Sequence, residues 1–137
     1  MVEDRFEAGR AVLARLDSQA EERIRAMSDG VAPDFARLTT EFAFGDILGR
    51  PGLGLRDRQI ATIAALAAIG AEPQLALHVR YGLNVGLTEE EIAEILMQMA
   101  VYAGWPAAFN ALRIAREVME DERAPGAGSV ATPAPGS

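Results

Sequence analysis

Apolar residues in the first part of the chain recur at spacings of three, four and seven. Phe6, Val12, Leu13, Leu16, Ala20, Ile24 and Met27 share one side of a helical spiral, with Glu and Arg on the other. This spacing predicts an amphipathic helix from Glu3 to Met27, ended by Ser28-Asp-Gly30. A second helix is predicted from about Pro33 to Leu48. Its inner stripe is Phe35, Leu38, Phe42, Ile47 and Leu48, and Pro33 stands at an early-turn position, where a missing N–H costs nothing. Gly49-Arg-Pro-Gly-Leu-Gly54 reads as a loop. Leu55 to Ile69 opens with Arg56, Asp57, Arg58 and Gln59 and then turns to Ala, Ile and Leu on nearly every face. Such a helix belongs in the centre of the monomer or between subunits.

Gly70 closes that helix, and Pro73 opens the next, which runs to Val85 and stops at Gly86, a residue suited to a left-handed cap. Thr88 and Glu91 have the spacing of a capping box for a fifth helix with Ile92, Ile95, Leu96, Met99 and Tyr102 inside. Gly104 stops it, and Trp105-Pro106 starts a sixth that extends to about Glu122. No stretch alternates with a period of two, so the expected class is all-α, a bundle of about six helices. Small residues such as Ala64, Ala68, Ala100 and Ala107 permit close helix approach, and an all-apolar helix in a small domain points to an oligomer.

Composition narrows the picture. A chain of 137 residues, 50% hydrophobic, fits a single helical domain over residues 1–123, followed from 124 to 137 by a Pro/Gly/Ala-rich tail with the composition of disorder. The longest apolar run, Ile60 to Gly70, is far shorter than the roughly 20 residues a bilayer span needs. The acidic N-terminus has no secretory pattern, so the cytoplasm is expected. A net charge of −7 disfavours nucleic acid and anionic membranes as partners, and all 13 positive charges are Arg. With no cysteine, disulfide, thiolate-metal and thiol redox chemistry are excluded; with one histidine, so is a His-rich metal site within one chain.

That histidine, His78, is the feature with most chemical content. Imidazole is the side chain whose ordinary pKa lies between pH 5 and 8. The plain alternative is a partly buried histidine bonded to a carbonyl. Helical spacing aligns His78 with Gln74, Leu75, Tyr81 and Gly82, whereas Arg80 aligns with Leu77 and Asn84, so the two are not an in-helix pair. Arg50, Arg56 and Arg58 lie within nine residues and have the charge to grip a dicarboxylate. Singly, each reads equally well as a solvated charge paired with Asp46 or Asp57. Met97 and Met99 fit core packing better than a ligand box.

Several separated strings, in order, carry a resemblance: Phe42-Ala-Phe-Gly-Asp-Ile-Leu-Gly-Arg-Pro-Gly-Leu53, Leu55-Arg-Asp-Arg58, Ala67-Ala-Ile-Gly70, Leu75-Ala-Leu-His-Val-Arg80, Leu83-Asn-Val-Gly-Leu-Thr88, Glu90-Glu-Ile92 and Val101-Tyr-Ala-Gly-Trp-Pro-Ala-Ala108. From about Phe35 to Glu117 the chain resembles the carboxymuconolactone decarboxylase family. The resemblance implies an all-helical fold in a ring-like homo-oligomer, trimeric or hexameric. It also implies cofactor-free decarboxylation of γ-carboxymuconolactone to β-ketoadipate enol-lactone. On that basis His78 is the expected proton donor or electrophile. Arg80, with Arg50 or Arg58, is the expected carboxylate and enolate clamp, and Gln74, Tyr81, Asn84 and Tyr102 are expected substrate contacts. The cysteine pair of the related alkylhydroperoxidase D-like proteins is missing. Departures from the decarboxylase pattern cluster near the expected pocket: Gln74 where an acid is usual, Phe44 and Leu48 for tryptophans, Tyr81 for a small residue, Val85 for an asparagine. They suggest a larger or less polar substrate. Two other readings follow, a cofactor-free lyase, isomerase or cyclase acting on a secondary-metabolite enol or lactone, and a non-catalytic oligomeric ligand-binding protein.

Overall fold

A computed structural model describes residues 4–124, so the expected tail lies outside the described residues except for Ala124. Asp4 accepts hydrogen bonds from the backbone N–H groups of Phe6 (3.0 Å) and Glu7 (3.3 Å) and caps α1, Arg5–Leu16. The single long first helix that periodicity predicts is broken here. Asp17 leaves the helix in an extended conformation, its Oδ1 accepts from the Gln19 N–H at 2.8 Å, and its other oxygen pairs with Arg23 at 2.8 Å. A local side-chain turn competes with the helical ladder and wins, and α2 starts afresh at Ala20–Ser28.

The second predicted helix is present but wound differently. Four residues, α3 (Phe35–Leu38), pass into a π-helix over Thr39–Leu48. At the junction the Thr40 hydroxyl donates to the Ala36 carbonyl at 2.8 Å, a back-bond that loosens the ordinary ladder. The wider turn rotates the side chains. Thr40 and Phe44 are buried, whereas Phe35, Leu38, Phe42 and Ile47 of the predicted inner stripe are exposed, Phe42 by 60%. Glycines bring α1 against this π-helix. A Cβ on Gly9 would lie 2.0 Å from the Thr40 carbonyl oxygen, and one on Gly45 would lie 2.6 Å from that of Arg5.

Four further helices follow, α4 (Leu55–Ile69), α5 (Glu72–Asn84), α6 (Glu89–Ala103) and α7 (Trp105–Arg123). Among the described residues there are thus seven α-helical segments, one π-helical segment and no strand. Gly70 and Gly86 end their helices in the left-handed region, at φ +72° and +104°. Each is followed by the paired bonds of a Schellman cap, Ala71 N–H to Leu66 O (3.0 Å) and Leu87 N–H to Gly82 O (2.9 Å).

The chain's contacts group into two compact units. Of the described residues, one comprises those up to Thr62 with Tyr81–Thr88; the other comprises Ile63–Arg80 with those from Glu89 on. In the first, Leu13, Leu16, Ala20, Phe44, Leu55 and Leu87 are buried, and Gln59 is wholly enclosed. In the second, α6 and α7 pack together, with Ile63, Leu75, Val79, Ile92, Leu96 and Ile114 buried. Burial of about six such side chains in each unit, at ~1.5–3 kcal/mol apiece, is the main stabilising term. No described helix is long and apolar enough to cross a membrane.

Candidate active-site residues

His78 lies in the middle of α5, between the fully buried Leu75 and Val79. It is itself partly buried, and burial pushes its pKa from 6.5 down to about 4. At neutral pH the ring is therefore uncharged. A neutral imidazole is a hydrogen-bond donor at one nitrogen and an acceptor at the other, suited to polarising an oxygen rather than to serving as a resting cation. Gln74, one turn before it, is exposed. Pro73 stands at the second position of the helix, where its missing N–H costs no intrahelical bond.

Arg80 is turned to the end of α7. Its Nε donates to a Glu122 carboxylate oxygen at 2.7 Å and its Nη2 to Asp121 at 3.2 Å. Two carboxylates of the chain thus hold the guanidinium in the way a substrate carboxylate would. Tyr102 is 77% exposed on α6.

In the other unit Arg50 and Arg58 are brought together, but by the backbone. Arg58 Nε donates to the Leu53 carbonyl at 2.9 Å and Nη2 to the Arg50 carbonyl at 3.1 Å. Its fork staples the Arg50–Gly54 loop, and the Arg50 side chain is left to the surface. The plain reading of Arg50, a partner for Asp46, does not hold. Asp46 is taken by Arg5 at 2.6 Å, and that guanidinium lowers the Asp46 pKa through its hydrogen bond and its charge. Asp57 pairs instead with Arg56, at 3.6 Å. Tyr81 is buried, with its hydroxyl hydrogen-bonded to Arg23, and Asn84 Nδ2 donates to the Leu16 carbonyl at 2.8 Å. Both side chains thus have partners within their own unit.

A cleft of about 270 Å³ opens beside the loop, lined by Val12, Leu48, Pro51, Leu53 and Leu55 with Arg50 and Arg15. Arg15 is a lining residue that sequence reasoning passes over, because nothing in helical periodicity separates it from the other arginines of α1. Among the described residues no three His, Asp or Glu side chains gather as a metal site.

A model described as the carboxymuconolactone decarboxylase family matches residues 33–117. A 4-carboxymuconolactone decarboxylase of Acinetobacter baylyi is 40% identical over 88 residues, 64% of this chain and 66% of that protein. A 15.0 kDa protein of Paracoccus denitrificans is 40% identical over 101 residues, 72% of this chain and 75% of that one. A nitrosuccinic acid decarboxylase of Metarhizium robertsii is 36% identical over 84 residues, 61% of this chain and 59% of the relative. The chain spans just under two thirds of the length of the first of these.

Proposed function

The chain belongs to the carboxymuconolactone decarboxylase family, and from that premise we propose that it is a carboxy-lyase of decarboxylase type acting on a small carboxylated lactone. The observation that carries the proposal is the family match over residues 33–117, which includes His78, Arg80 and Arg50, together with relatives named as decarboxylases. In the proposed reaction the bond between the carboxylate carbon and the ring carbon breaks. Carbon dioxide leaves, and the electron pair enters the conjugated lactone as a dienolate. A proton originating from solvent is then delivered to the carbon α to the lactone carbonyl, which collapses the dienolate to the enol-lactone. His78, neutral at physiological pH, donates a hydrogen bond to the developing enolate oxygen and relays that proton. Arg80 takes up a substrate carboxylate in exchange for Asp121 and Glu122. The electron sink is the lactone itself, so the proposed reaction uses no cofactor.

We place a homo-oligomer within the same proposal. Met97, Trp105 and Phe109 are exposed along a groove on α6 and α7 whose lining, completed by Ala100, Ala108 and Leu112, contains no charge. For a chain of net charge −7, an uncharged apolar face is where a second copy meets the least repulsion.

The test is release of carbon dioxide from 4-carboxymuconolactone by the purified protein, with and without a chelator. Turnover above about one per second, insensitive to the chelator and abolished in His78→Ala, is the expected result. Full activity of His78→Ala would remove His78 from the mechanism. A folded protein that leaves this lactone untouched would favour a second reading, a cofactor-free lyase, isomerase or cyclase on a bulkier enol or lactone. Gln74 and Tyr81, which depart from the decarboxylase pattern, support that alternative.

A further inference from the structure

We propose that the cleft between α1 and the Arg50–Gly54 loop is a binding site for a small dicarboxylate, with Arg15 and Arg50 as its two cationic contacts. Arg15 lies outside the matched residues 33–117, so the family match assigns it nothing. Both arginines line the cleft. Carboxylates engage nine of the other guanidiniums, for example Arg5 with Asp46, Arg10 with Glu21, Arg23 with Asp17 and Arg113 with Glu117. Arg58 is spent on carbonyls, and Arg116, the one other arginine for which no ion pair is found among the described residues, does not line the cleft. Arg15 and Arg50 have no carboxylate within 4.0 Å among the described residues. A chain with 20 acidic side chains thus leaves two cations bare in one small cleft.

The rest of the cleft indicates the body of the ligand. Val12, Leu48, Pro51, Leu53 and Leu55 are apolar walls, suited to a carbon skeleton rather than to phosphate or a sugar. A volume of about 270 Å³ is at the small end of ligand pockets, which start near ~300 Å³, and fits a metabolite rather than a polymer. The site is also preorganised. The Arg58 fork already holds the loop that carries Arg50, and Arg15 stands on α1, which its glycine contacts fix against the π-helix, so little ordering remains for the ligand to bring about.

The proposal concerns binding in one unit and stands apart from the decarboxylase reading. Calorimetry at low ionic strength with adipate and hexanoate, acids of equal carbon count and unequal charge, tests it. Wild-type protein is expected to bind adipate roughly fivefold or more tightly than hexanoate, the ratio one exposed ion pair supplies. Arg15→Gln and Arg50→Gln, each confirmed helical by circular dichroism, are expected to abolish that preference, and Arg15→Lys to retain part of it. Equal binding of the two acids, failure of adipate to bind at millimolar concentration, or a preference that survives Arg15→Gln would each overturn the assignment. None of these outcomes bears on whether His78→Ala loses turnover.

Discussion

Folding holds His78 in its neutral form, and that makes stability depend on pH in a defined window. The folded-state pKa is about 4, against 6.5 for the exposed group. Between those values the unfolded chain binds a proton that the folded chain refuses, so stability falls as pH falls. The contribution is fully present above pH 6.5 and fully lost below about pH 4. At about 1.4 kcal/mol per pH unit the loss over the whole window comes to about 3 kcal/mol. Carboxylates titrate over part of the same range, so the measurement is a difference. Urea denaturation of wild type and of His78→Gln is followed by far-UV circular dichroism at several pH values from about 7 to 4.5. The stability gap between the two proteins should shrink in favour of the variant as pH falls, by about 2–3 kcal/mol. A gap that stays constant would show that burial does not hold the imidazole neutral, and the hydrogen-bond donor role would lose its basis.

Other consequences are equally open to measurement. Gly9→Ala sets a Cβ against the Thr40 carbonyl, a backbone atom that cannot swing aside, and should cost about 2–3 kcal/mol in urea denaturation. Gly52→Ala, with nothing within 4 Å, should cost well under ~1 kcal/mol beside it. Arg58→Ala removes two hydrogen bonds to loop carbonyls and should cost about 1–2 kcal/mol, with faster amide exchange confined to residues 50–54. Asp121→Asn combined with Glu122→Gln should leave thermal stability nearly unchanged, because exposed pairs contribute little, and should lower KM. A KM no lower than wild type would mean that Arg80 does not hold substrate. Trp105→Asp should shift light-scattering mass towards the monomer; an unchanged mass would exclude the α6–α7 groove as the self-association face.

The helical class, the loop at Arg50 and the stops at Gly70, Gly86 and Gly104 were all legible in the sequence, because periodicity and glycine conformations are local properties. What was not legible depends on competition. Asp17 looks like one polar residue on a helix surface until its carboxylate finds both Gln19 and Arg23. At Phe42 and Ile47 the predicted inner face was misphased because a 3.6-residue period does not describe a π-helix, and the Thr40 back-bond that marks the change leaves no trace in hydropathy. His78 was identifiable by type and position, its neutrality only by burial. That Arg58 holds the carbonyls of Leu53 and Arg50 was likewise beyond helical spacing, which places the residue but not the loop it reaches. Arg15 was invisible because what distinguishes it, the lack of a carboxylate partner such as Arg5 and Arg10 have, is a tertiary fact.

The glycine contact between α1 and the π-helix also bears on where this protein can be cut. The family match begins at residue 33, yet Gly9 seats on Thr40, Arg5 grips Asp46, and Leu13 and Leu16 supply buried core. Shortening the chain to the matched segment would strip the π-helix of the surface it was wound to fit and remove one wall of the Arg50 cleft. The boundary of inherited resemblance and the boundary of cooperative folding are different lines here. Transplanting or recombining this module should therefore follow the second, keeping α1 with the residues it braces.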